Sequence, residues 1–84
     1  MRLIFEDAAW EDYVHLVHTD RLVLKKVNEL ISDIRRTPYS GLGKPEPLRF
    51  ELAGWWSRRI DREHRLVYSV EAESMLISQC GFHN

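Results

Sequence analysis

Glu46, Arg65 and His83 are three side chains whose chemistries complement one another. A glutamate, with a reference pKa of ~4.3, is ionised at neutral pH and accepts a proton, while a histidine near ~6.5 can be held protonated by a neighbouring phosphate and donate one. Arginine stays charged and meets phosphate with a two-pronged fork. Cleavage of an RNA phosphodiester by its own 2′-hydroxyl needs these services: a base for the 2′-OH proton, an acid for the leaving 5′-oxygen, and a cation for the charge gathering on phosphorus oxygens. Taken singly, each residue also has an ordinary reading. Glu46 fits a solvated loop carboxylate, His83 a frayed C-terminal side chain and Arg65 a strand surface residue.

The charge pattern bears on which reading holds. The formal net charge is only −1, yet from Arg35 to Arg65 eight basic residues stand against four acidic ones, and the rest of the chain is acidic. A basic middle on an acidic protein suits a local phosphate-binding face, because salt screens the remote acidic surface over a Debye length of ~8 Å. A solvated sheet face with scattered arginines would look the same in composition.

Something must hold these groups together, and 84 residues provide one domain, spanning 1–84. With 44% hydrophobic and 30% charged residues, disorder and low-complexity repeats are disfavoured. The single cysteine, Cys80, cannot form an internal disulfide, no Cys/His cluster has zinc spacing, and no apolar run approaches the ~20 residues of a membrane span. The start of the chain lacks a signal-peptide core. A cytoplasmic protein without membrane attachment, metal or cofactor is expected.

The periodicities predict an α+β fold. Arg2–Phe5 reads as a strand; Trp10, Tyr13, Val14 and Val17 then fall at helical spacing. Thr19-Asp20 breaks that helix and caps a second, whose stripe is Val23, Val27, Leu30 and Ile34 with Leu24 and Ile31 beside it, ending near Arg35-Arg36. The two form a hairpin. Residues 38–47 hold three prolines and two glycines and predict a long loop without regular structure. Beyond it the period becomes two: Leu48–Leu52, Trp55–Ile60, Arg65–Val70 and Met75–Phe82 predict a four-strand antiparallel meander with turns at 61–64 and 71–74. Strands with charges at alternate positions cannot be buried on both sides, so the helix pair covers one face and the other stays open. Alternation allows Arg49, Arg65 and His83 on that open face beneath a loop bearing Glu46; along the last strand it groups His83 with Gly81, Gln79, Ile77 and Met75.

Other candidates carry less. His15 and His18, with Asp12, have loose metal-ligand spacing but fit a solvated helix face. Trp10, Trp55 and Trp56 could stack bases, although Trp10 fits core or dimer packing. Cys80, Tyr39 and Tyr68 read as structural.

Arg35-Arg36-Thr37-Pro38-Tyr39, Gly43-Lys44-Pro45-Glu46-Pro47-Leu48, Trp56-Ser57-Arg58-Arg59-Ile60 and Glu63-His64-Arg65-Leu66-Val67-Tyr68, with a histidine one residue before the end, run across essentially the whole chain. In these the sequence resembles the YoeB-type toxins of the RelE/ParE superfamily of bacterial toxin–antitoxin systems. The resemblance implies a RelE-like, microbial-ribonuclease-like fold and a metal-independent endoribonuclease that cleaves mRNA in the ribosomal A site and so inhibits translation. It assigns Glu46 as general base, His83 as general acid and Arg65 as transition-state stabiliser. Arg59 matches a phosphate-contacting arginine, Arg49 stands where members often carry lysine, and Lys44 and Arg58 complete the expected RNA-binding set. It also implies ribosome and mRNA as partners, homodimerisation, and inhibition by a YefM-type antitoxin. Two positions depart from the pattern: Asn84 replaces a terminal tyrosine that lies near the scissile nucleotides in family members, and Gly81 stands where a basic residue is common. The rival expectations are a non-catalytic ParE-like toxin that blocks DNA gyrase, which would lack the Glu/Arg/His set, and a ribonuclease that needs no ribosome.

Overall fold

Asp20 ends one helix and starts the next. Its side chain accepts a hydrogen bond from the Val23 N–H at 3.1 Å, and its own N–H donates to Leu16 O. On either side lie α1 (Asp7–Thr19) and α2 (Arg21–Arg36), the expected hairpin. The structure is a computed structural model and describes residues 1–81. Five strands complete it: β1 (Arg2–Phe5), β2 (Glu46–Pro47), β3 (Trp56–Arg59), β4 (Arg65–Glu71) and β5 (Ser74–Gly81). They form one sheet in the order β1-β5-β4-β3-β2, with β1 parallel to β5 and every other pair antiparallel. The α+β class is as the periodicities predict, and β2–β5 form a four-strand antiparallel meander, though its first strand is not the expected one. None of the described helices is long and apolar enough to cross a membrane.

The α2 stripe behaves as expected: Val27, Leu30 and Ile34 are fully buried and Val23 and Leu24 pack at the margin. The α1 stripe is turned by one position. Ala9, Asp12 and Leu16 face inward, while Trp10 and Val17 are exposed. Asp12 is polar in sequence but spends its carboxylate inside, within 3.4 Å of the Cys80 N–H, so hydropathy alone misplaces the inner face. Trp10 stacks on Tyr13 at 5.9 Å and meets Phe5 edge-on at 5.6 Å, forming an aromatic cluster at the helix margin.

Two expectations about strands need correction. Leu48–Leu52 is not a strand: Phe50–Leu52 is a single 3-10 turn, closed by Leu52 N–H to Arg49 O and Ala53 N–H to Phe50 O, both at 3.1 Å. Phe50 takes a left-handed φ of 59° and is 91% exposed, so the apolar alternation there marks no core face. The strand lies earlier, within the stretch expected to be irregular, where Glu46 pairs with Ser57 and Pro47 with Trp56. The second correction concerns β5. Val67 pairs with Gln79 and Tyr68 with Ile77, which leaves Ser78 as an extra residue in a bulge. The side-chain parity therefore flips at Ser78, and Cys80 joins Met75 and Ile77 in the core. Gln79 and Gly81 cannot be grouped with Ile77 and Met75 by counting in twos.

Candidate active site

Directly paired residues on adjacent strands share a sheet face. Trp56 with Tyr68, and Arg58 with Leu66 and Cys80, lie on the helix-covered side, where Tyr68, Leu66, Arg58 and Cys80 are fully buried. The alternate residues fall on the other side. One rung there reads Glu46, Ser57, Val67, Gln79, and the next reads Arg59, Arg65, Gly81. The two-residue strand thus delivers Glu46 to the face that carries Arg59 and Arg65, with β3 between β2 and β4.

Glu46 and Arg59 are exposed and Arg65 is half-buried. Arg65 Nη1 donates to Ser57 Oγ at 3.1 Å. Among the described residues Glu46, Arg59 and Lys44 have no ion-pair or hydrogen-bonding side-chain partner, so these charges remain available to a ligand. The approach of the loop to β3 depends on Gly43. Its carbonyl accepts from the Arg59 N–H at 2.7 Å, its φ is +77°, and a Cβ there would meet Arg59 O and Leu30 Cδ2 at 2.9 Å. Lys44 follows, exposed, with a φ of 52°.

Arg58 does not belong to the phosphate-binding set. It is fully buried, and its five N–H groups are all engaged: Nε to Tyr68 Oη, Nη1 to Asp33 Oδ2 and Leu42 O, and Nη2 to Thr37 O and Ser40 O. Strand alternation separates it from Arg59, its neighbour in sequence, and sends it into the core as a clamp on the 37–42 loop. The Leu42 N–H, then Arg36 and Arg58, hold the Asp33 carboxyl at about 2, well below its ordinary value. Tyr68 completes the cluster by donating to Pro38 O at 2.7 Å. Burial pushes its phenol pKa up against the opposing pull of Arg58.

Arg49 is exposed but reaches the sheet through no strand; it precedes the 3-10 turn. His83 and Asn84 lie outside the described residues. Trp56 sits on the helix-covered side, 4.8 Å from the Tyr39 ring, so it is no stacking platform on the face that carries Glu46 and Arg65. Sequence reasoning overlooked Ser57. Its signal was alternation within Trp56-Ser57-Arg58-Arg59, which pairs Ser57 with Arg59, but its relation to Glu46 depends on a register that no sequence period reveals.

A carboxylate and two guanidinium groups on one solvent-facing sheet surface, fed by a glycine-dependent loop, can bind a phosphodiester and accept a proton beside it. Residues 5–84 match the family described as the YoeB-like toxin of bacterial type II toxin-antitoxin systems. The chain belongs to the YoeB family. It is 54% identical to the toxin YoeB of Escherichia coli strain K12 over 83 residues, covering 99% of both chains. The fold matches a YoeB/ParE toxin from Agrobacterium tumefaciens at a TM-score of 0.96 and 45% identity, covering all of both chains. YoeB of Staphylococcus aureus matches at 41% identity, covering 100% of this chain and 98% of that one, with TM-scores of 0.94 in a heterotetrameric YoeB-YefM complex and 0.93 as a dimer. This protein is accordingly a toxin of a toxin–antitoxin system.

Proposed function

We propose that this toxin is a ribosome-dependent endoribonuclease that cleaves mRNA in the ribosomal A site. The observation that carries the proposal is the register placing Glu46, Arg59 and Arg65 on one exposed face. Glu46 removes the proton from the 2′-hydroxyl of the nucleotide preceding the cut. The alkoxide attacks phosphorus, Arg65 and Arg59 hold the phosphoryl oxygens as charge builds on them, and His83 protonates the departing 5′-oxygen. The products are a 2′,3′-cyclic phosphate and a 5′-hydroxyl. Lys44 and Arg49 add positive potential along the RNA path. In the cytoplasm the toxin acts as a homodimer, and a YefM-type antitoxin silences it; the staphylococcal complex and dimer support both assemblies.

Mapping mRNA cuts in a purified translation system, with and without ribosomes, tests the proposal. Cuts at A-site codons that need ribosomes and end in cyclic phosphate support it. Cuts on naked RNA alone would replace it with a ribosome-independent nuclease. Intact message with arrested DNA synthesis would favour a gyrase-blocking toxin.

A further inference from the structure

Beside the candidate active site lies a second concentration of positive charge. Lys26 on α2, Lys44 on the loop, Arg59 at the end of β3 and Arg62 in the β3–β4 turn line one cavity of about 410 Å³. None of the four has an acidic partner within ion-pair distance among the described residues. The one carboxylate in the lining, Asp61, is committed to its own turn. Its Oδ1 accepts the N–H groups of Glu63 and His64 at 2.9 and 2.8 Å, and the His64 ring lies 3.0 Å away. The His64 ring first, then the two N–H groups, lower the Asp61 pKa. Four cations from four segments therefore line a concave surface against a single carboxylate, a net positive charge that an anion relieves.

Arg59 decides what kind of anion. It lines this cavity and is also the cross-strand partner of Arg65 on the catalytic face. A linear polyanion whose reacting phosphate sits between Glu46 and Arg65 passes Arg59 and enters the cavity with its flanking phosphates. We propose that Lys26 and Arg62, with Lys44 and Arg59, form a subsite for backbone phosphates of single-stranded RNA flanking the cut. The assignment of RNA rests on the nuclease reading above; the cavity and its charge do not.

The test uses a fluorescein-labelled 2′-O-methyl oligouridine, which cannot be cleaved, and follows its anisotropy against salt with the full-length toxin. For the double variant Lys26→Ala/Arg62→Ala we expect binding about 10-fold weaker and a slope of log affinity against log salt lower by about 1.4, since each single-strand phosphate contact contributes ~0.7. Lys26→Arg/Arg62→Lys keeps the charge and should keep the slope. Below saturating toxin, cleavage on the ribosome should slow by no more than the loss of affinity, because neither residue touches the reacting atoms. Unchanged affinity and slope would overturn the subsite and leave the nuclease standing. A toxin that cuts no message yet shows the slope change would overturn the nuclease and keep the subsite. Loss of antitoxin binding with RNA binding intact would overturn RNA as the occupant, as would full displacement of parent-bound oligouridine by stoichiometric inorganic phosphate.

Discussion

Arg65 Nη1 donates a hydrogen bond to Ser57 Oγ across 3.1 Å, joining β4 to β3 on the sheet face opposite the helices. Ser57 is almost completely buried and is the register partner of Glu46. A small hydroxyl thus lies next to the proposed base and holds the proposed transition-state cation in a defined orientation. A guanidinium on a long side chain loses rotamer entropy when it must be fixed, and a neighbouring acceptor arranges this before substrate arrives.

Ser57→Ala should therefore slow single-turnover cleavage about 10- to 100-fold, the equivalent of a charged hydrogen bond worth ~1.5–3 kcal/mol. RNA affinity should change little, since the guanidinium charge stays. A variant that cleaves at the parent rate would show that Arg65 needs no help from Ser57.

Glu46→Gln keeps the shape and removes the proton acceptor. Cleavage on the ribosome should fall roughly 10²- to 10⁴-fold while ribosome binding persists. Arg65→Lys should also lose most activity, because an ammonium cannot reproduce the guanidinium fork, whereas Lys44→Ala should cost far less. Equal losses for the last two would mean that the catalytic cation has been misassigned. A 2′-deoxy nucleotide at the cut site should abolish cleavage.

The strong periods were legible in the sequence, and the weak ones misled. The α2 stripe carries four apolar positions, with Leu24 and Ile31 beside it and a capping aspartate before it, and the fold places it as read. The α1 stripe failed because Asp12 faces inward to meet a backbone N–H, a buried polar role invisible to hydropathy. Leu48–Leu52 failed for the opposite reason: its alternation is flawless, but no partner strand lies beside Phe50, whose backbone turns left-handed. The candidate site divided along the same line. Residue type and the family resemblance named Glu46, Arg59 and Arg65, which the register sets on one face, but could not tell Arg58 from Arg59, since only the register against β4 decides which of two adjacent arginines faces solvent and which is buried.

Cys80 should act as a reporter of unfolding. Its thiol is fully buried, lies 3.3 Å from Ala9 O and has its pKa pushed up to about 12 by burial and then by Asp12. Only the thiolate attacks alkylating reagents, so at neutral pH the native protein should resist them. Labelling by iodoacetamide should track global unfolding in denaturant; fast labelling of the native protein would place Cys80 near the surface.

The Arg58–Asp33 pair, 2.6 Å apart, gives the last test because it separates folding from catalysis. Arg58 satisfies five acceptors from helix, loop and Tyr68, whereas lysine offers only three donors. Arg58→Lys would leave at least two buried acceptors without their donor, and Arg58→Ala would leave all five so, with only Arg36 and the Leu42 N–H remaining to the Asp33 carboxylate, so both variants should be less stable than the parent, alanine the more so. Because Asp33 titrates at about 2 when folded against an ordinary 3.8, it favours the folded state above pH ~4, and that contribution fades as pH falls towards 2. Denaturant unfolding between pH 5 and 2 should accordingly show parent stability dropping more steeply than that of Asp33→Asn. Some slope should remain in the variant, since Asp61 is also lowered by its contacts with His64. Parallel curves for parent and Asp33→Asn would mean that the ion pair contributes nothing to acid sensitivity.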